Sequence, residues 1–128
     1  NFNAVAELAI AMMILMSRGQ FTPATGSEIM GKTLGVQAYG NVGRLVGRKA
    51  EALGLKIMAI DPFIPADKIR ELGAEPAENL EHMYASSDFV SIHIPATPQT
   101  VRSIGYDLIT RMPKGACLVN TARKEVID

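Results

Sequence analysis

Apolar and polar positions fall in blocks along this chain, and the period of the pattern changes from block to block. The first, Ala4 to Met16 (AVAELAIAMMILM), is apolar around nearly the whole circumference of a helix and is broken only by Glu7. Its 13 residues fall short of the roughly 20 needed to cross a bilayer, and no basic segment precedes them, so neither a membrane span nor a signal peptide is indicated. The pattern predicts a buried helix packed on several sides, as a helix between two domains would be. Residues 1–18 read as this interdomain helix and 19–32 as a loop, with Pro23 and three glycines in Ser17 to Lys32.

From Thr33 onward, short apolar runs alternate with segments of helical spacing. Strands are predicted over Thr33 to Ala38, Leu55 to Ile60, Phe89 to Ile94 and Ala116 to Asn120. Between them, Asn41 to Leu53 carries Val42, Leu45, Val46, Ala50 and Leu53 at helical spacing, with Gly54 as its stop. Pro65 to Leu72, Asn79 to Ala85 and Tyr106 to Arg111 are predicted as shorter helices, and Pro113-Lys114-Gly115 turns the chain. Strands separated by helices imply crossover connections and a parallel sheet. The expected fold is α/β, a Rossmann-type doubly wound domain over residues 33–128.

Composition narrows the function. The chain has 128 residues, 48% of them hydrophobic, enough for one packed domain. Lys plus Arg balance Asp plus Glu at 13 each with no basic block, which argues against nucleic acid as a partner. A single cysteine, Cys117, excludes an internal disulfide and fits a reducing, cytoplasmic setting. His82 and His93 lie 11 residues apart without matching Cys or carboxylate spacing, so no metal site is expected. The chain opens without methionine and stops at Asp128 without a terminating signal, from which an excised fragment is expected.

The stretch GVQAYGNVGRLVG, Gly35 to Gly47, carries most of the candidate chemistry. Against the dinucleotide fingerprint G-x-G-x-x-G it presents Ala38, Gly40 and Gly43, with alanine in the first place. The fingerprint carries weight only with a strand before it, a helix after it and an acidic residue about 20 positions on. All three are present, and Asp61 follows Gly40 by 21 residues at the end of the second strand. There its carboxylate suits the hydroxyls of an adenine ribose. The helix beginning at Asn41 and Val42 would offer free N–H groups to a pyrophosphate, Gly40 would permit close approach, and Gly43 would let helix and strand pack. Ala38 fills the turn if its φ stays negative. Asp-Pro is also an ordinary turn initiator, and glycines occur in ligand-free turns, so each feature alone has a plain structural reading.

The second half is more specific. SSDFVSIHIPATPQT (Ser86 to Thr100) and MPKGACLVNTARKEVID (Met112 to Asp128) resemble the D-isomer-specific 2-hydroxyacid dehydrogenases, whose His-x-Pro strand end, T-P-x-T segment and K-x-G-A-x-L-V-N-x-A-R strand and loop flank the nicotinamide half of NAD. The resemblance covers the whole chain, with NFNAVAELAIAMMILMSR similar to the family's interdomain helix.

This resemblance implies an NAD-dependent enzyme acting on a small 2-hydroxy or 2-keto acid, most similar to the phosphoglycerate dehydrogenase branch. It implies that Arg123 holds the substrate carboxylate and polarises the keto oxygen, a task suited to a planar bidentate cation. Thr121 and Ala122 would contact the nicotinamide side, while Ile94, Pro95 and Thr100 would line the cleft nearer the adenosine and pyrophosphate. The family's acid/base histidine lies downstream of these motifs, so His93 is expected to be a packed or supporting residue, and His82 to be solvated. A homodimer or higher homo-oligomer built through the N-terminal helix is implied as well. Three departures stand out: Ala38, a polar Gln37 in a central strand, and Lys124-Glu125 where glycine is usual. Two other readings stay open. One is a dehydrogenase-like corepressor that senses the dinucleotide; the other is the cofactor domain of a glutamate dehydrogenase or adenosylhomocysteine hydrolase, which NTAR does not suit.

Overall fold

The structure, a computed structural model, describes all residues 1–128. Its first helix, α1 (Phe2–Ser17), is followed by β1 (Thr33–Gln37), α2 (Asn41–Ala52), β2 (Lys56–Ile60), α3 (Ala66–Glu71) and β3 (Glu75–Pro76). Then come α4 (Leu80–Ser86), β4 (Phe89–Ile92), α5 (Tyr106–Ile109) and β5 (Cys117–Asn120). Single 3-10 turns occupy Gly19–Phe21 and Lys124–Val126. The five strands form one parallel sheet in the order β3-β2-β1-β4-β5.

That order follows from right-handed crossovers. Stepping outward from β1 to β2 and β3 places α2 on one face, while starting again beside β1 with β4 and β5 places α5 on the other. Two hydrophobic clusters result. Ala6, Ala9 and Met13 of α1 join Val46 and Ala50 of α2 against Leu34, Val36 and Phe89 on one face. Met83 and Tyr84 of α4 and Leu108 of α5 meet Val90 and Ile92 on the opposite face. Within β4 the alternation is direct: Val90 and Ile92 point to α4, and Phe89 to the α1/α2 side.

The predicted helix 1–18 forms, but its burial is one-sided. Only Ala6, Ala9 and Met13 are fully buried, while Leu8 and Met16 remain half exposed. β3 has no counterpart in the sequence reading, because two residues ending in proline show no periodicity; it pairs at the sheet edge with Met58 and Ala59. α5 stops at Ile109 rather than Arg111, and the strand at Phe89 ends at Ile92 rather than Ile94.

The three departures resolve differently. Gln37 is buried because its Oε1 accepts a 2.7 Å hydrogen bond from the Tyr84 hydroxyl of α4, not from a loop. Lys124 and Glu125 are accommodated because Arg123 is extended (φ −142°) and the following turn needs no left-handed residue. Ala38 does not keep a negative φ: it sits at +76°, in the left-handed region. Glycine would relieve strain of about 1 kcal/mol there. Ala38→Gly is therefore expected to raise the denaturant midpoint by an amount equivalent to about 1 kcal/mol; an unchanged or lowered midpoint would show that the turn is unstrained.

Candidate cofactor site

Four strands end in one register row. Gln37 pairs with Ile60 on one side and Ile92 on the other, and Ile92 pairs with Asn120. The next residue of each strand therefore lies one step beyond the sheet: Asp61, Ala38, His93 and Thr121, in that spatial order. Two backbone bonds continue the row, Ala38 N–H to Ile60 O and His93 N–H to Gln37 O, each 2.9 Å. Strand order reverses between β1 and β4, and the crevice at such a reversal is where ligands bind in open α/β sheets. Three strand spacings, about 14 Å, separate the Asp61 end from the Thr121 end.

At the centre of the row, α2 begins at Gly40 with no side-chain cap, and its first backbone bond runs from Arg44 N–H to Gly40 O at 2.9 Å. The N–H groups of Asn41, Val42 and Gly43 are thus left for a ligand at the positive end of the helix dipole. Gly43 is a packing necessity: a Cβ there would stand 2.2 Å from the Ala38 carbonyl oxygen. Gly40 is the opposite case. Its φ is an ordinary −78° and no protein atom lies within 4 Å of a Cβ placed on it, so the space above it is free for a phosphate. Arg44 donates from Nε to Tyr39 O at 2.9 Å, and neither Arg44 nor Arg48 is in an ion pair, which adds positive potential beside Asn41.

Asp61 ties the turn together. Its Oδ2 accepts from Tyr39 N–H and its Oδ1 from Phe63 N–H, both at 2.8 Å. Each carboxylate oxygen retains a second lone pair, so the group can still accept from ribose hydroxyls.

On the β4–β5 side a cavity of about 460 Å³ is lined by Val42, His93, Ile94, Pro95, Thr121, Ala122 and Arg123, with Val5 and Ala96 completing the wall. Asn120, just before the lining loop, braces it. Its Oδ1 accepts from Ala122 N–H and its Nδ2 donates to Arg123 O, both at 2.9 Å, so the Thr121–Arg123 loop is fixed at both ends. Asn120 is a further site residue beyond those expected from the motifs, and an Asn at a strand end before a loop is the usual signal of such a turn. Arg123 is exposed; its guanidinium donates to Ala122 O at 3.0 Å and is in no salt bridge. The Thr121 hydroxyl is buried without a partner, an orphan that a ligand would satisfy.

Thr100 does not line this cavity; its hydroxyl donates to Pro95 O at 2.5 Å and accepts from Thr97 N–H at 2.7 Å. It braces the loop that presents Ile94 and Pro95, because a hydroxyl so close to two backbone groups in its own turn satisfies them first. His93 does belong to the wall, and burial pushes its pKa down to about 4, so its ring is neutral at pH 7. His82 is tied locally: its Nδ1 accepts from Glu78 N–H, and its own N–H donates to the helix cap Asn79.

The residues present fit a dinucleotide: an acid for the ribose, a bare helix N-terminus with an uncovered glycine for the phosphates, and an orphaned hydroxyl beside a free arginine. Residues 4–128 match the family described as D-isomer specific 2-hydroxyacid dehydrogenase, NAD binding domain. The chain belongs to this family, and the cofactor of the domain is NAD. It is 35% identical to the D-3-phosphoglycerate dehydrogenase of Methanocaldococcus jannaschii, covering 98% of this chain and 26% of that protein. It is 36% identical to the hydroxypyruvate reductase of Thermotoga maritima, with 98% and 44% covered. Its fold superposes on the NAD+-bound 3-phosphoglycerate dehydrogenase of Entamoeba histolytica with a TM-score of 0.90 at 40% identity, over 98% of this chain and 39% of the other. The chain thus spans between about a quarter and a half of these relatives. They are dehydrogenases and reductases, and the corepressor alternative draws no support from them.

Proposed function

We propose that the intact protein is an NAD-dependent oxidoreductase that interconverts a small 2-hydroxy acid and its 2-keto acid, with a phosphoglycerate-like acid the favoured substrate. The observation that carries this reading is the single row of Asp61, the α2 N-terminus and the Thr121–Arg123 loop along the carboxyl edge of the sheet. NAD, when bound, supplies or accepts the hydride. Asp61 holds the adenosine end, the free N–H groups of Asn41, Val42 and Gly43 hold the pyrophosphate, and Thr121 and Ala122 border the nicotinamide end. Arg123, a permanent cation at the mouth of the cavity, grips the substrate carboxylate in two hydrogen bonds and leaves a donor toward the keto oxygen.

The Asp61 carboxylate occupies the place a 2′-phosphate would take, and Pro62-Phe63-Ile64 brings no cation to offset it. NAD is therefore expected to bind the intact protein more tightly than NADP, by tenfold or more. Calorimetric titration with both tests this. Equal or tighter NADP binding would remove Asp61 from the ribose site.

The exposed side of α1 supports a second expectation. Leu8, Ala11, Met12, Ile14, Leu15 and Phe21 form an entirely apolar surface hollow, with Phe21 two-thirds exposed at 67%. A patch of this kind is characteristic of an interface, and the intact protein is expected to be a homodimer or higher homo-oligomer through it. Light scattering should report an oligomer at micromolar concentration that Leu8→Asp weakens. A wild-type monomer would contradict the assignment.

A further inference from the structure

His93 occupies an unusual position in the site just described. It lies one residue past β4, its backbone is pinned by the bond from its N–H to Gln37 O, and it lines the cavity shared by Thr121 and Arg123. Two residues back on the same face of the strand, Ser91 is fully buried, and its Oγ stands 2.8 Å from His93 Nε2.

This pairing fixes the tautomer. A neutral imidazole carries one proton, and burial keeps His93 neutral. If that proton were on Nε2, the ring would donate to Ser91 and the serine hydroxyl proton would be left without an acceptor in the core, since Oγ has no other partner. With the proton on Nδ1, Ser91 donates to Nε2 and both groups are satisfied. Nδ1–H then has no protein partner, and His93 lines a cavity that Thr121, whose buried hydroxyl also lacks a partner, lines beside it.

We propose that His93, set by Ser91 as the Nδ1–H tautomer, is a cofactor-positioning residue that donates one hydrogen bond to an oxygen acceptor on the nicotinamide half of the dinucleotide. The inference rests on the dinucleotide reading of the row. Asp61 marks the adenosine end on β2, α2 marks the centre beside β1, and β4 and β5 lie on the far side, so a ligand laid along the row brings its nicotinamide half to His93.

The test compares ADP, which carries only the adenosine half, with NAD on the intact protein. Replacing His93 by phenylalanine keeps the ring volume and removes the donor; NAD affinity should fall about three- to tenfold while ADP affinity holds. Asparagine, whose amide nitrogen stands near the position of Nδ1, should recover much of the loss. Equal weakening of ADP and NAD would mark His93 as merely structural, and unchanged NAD affinity in His93→Phe would also overturn the proposal. Failure of the wild type to bind ADP would instead bring down the dinucleotide reading beneath it. An independent check needs no variant: 15N-histidine NMR of the wild type should show His93 protonated on Nδ1, with that resonance moved by NAD and not by ADP. A proton on Nε2 would overturn the assignment.

Discussion

Replacing Arg123 by lysine in the intact protein is expected to lower kcat/KM on its best 2-keto acid by roughly two to three decades, equivalent to about 2.7–4 kcal/mol at the transition state. The Asn120 side chain holds the loop so that the guanidinium stands free at the cavity mouth, with one bond to Ala122 O and no ion pair. A planar fork can hold a carboxylate with two parallel bonds and still reach a keto oxygen, whereas an ammonium is a point charge and loses that geometry. NAD affinity should change by less than about threefold, because the residues proposed to hold adenosine and pyrophosphate lie just past β2 and at the start of α2. Steady-state kinetics beside cofactor titration separates the two quantities. Near-normal efficiency in the lysine variant would remove Arg123 from the chemistry.

The largest effect on stability is expected at Gly43. A methyl group there would meet the Ala38 carbonyl oxygen at 2.2 Å and the Val36 Cγ1 at 3.2 Å, and the first is backbone that cannot rotate away. Gly43→Ala should destabilise the protein by about 3 kcal/mol or more, since α2 must move off β1 to admit the group. Gly40→Ala is the matched contrast. With nothing within 4 Å of its Cβ, it should unfold within about 0.5 kcal/mol of the wild type yet bind NAD more weakly, because the methyl enters the ligand's space. Denaturant unfolding of both variants decides the matter. Equal stabilities would mean that the two glycines do not divide packing and binding between them.

The α/β alternation, the parallel sheet and the placement of Asp61 were legible because each rests on local signals: strand periodicity, a helical apolar stripe and turn residues at fixed offsets. Part of the rest depends on contacts distant in sequence. Gln37 looks out of place in a strand until Tyr84, 47 residues away, supplies the donor. The sign of the Ala38 φ is open in the sequence, because the turn between β1 and α2 is also held by Asp61 at the end of the neighbouring strand, which accepts from Tyr39 N–H while Ala38 sits at +76°. Thr100 was assigned to the cleft by motif, yet its hydroxyl finds two backbone groups in its own turn first. α1 read as buried all round because composition reports apolar surface without saying which part this domain covers.

Isotope transfer tests most directly whether the intact protein is the proposed NAD-dependent enzyme that reduces 2-keto acids to D-2-hydroxy acids. The intact protein would be incubated with NADH deuterated at the transferable position and a panel of small 2-keto acids, including a phosphorylated one, and the products would be analysed by chiral separation and mass spectrometry. The expected result is deuterium at C2 of the D-isomer for at least one member of the panel, with transfer strongly reduced in Arg123→Lys. Tight NADH binding without deuterium transfer to any 2-keto acid, or transfer that survives intact in Arg123→Lys, would contradict the account.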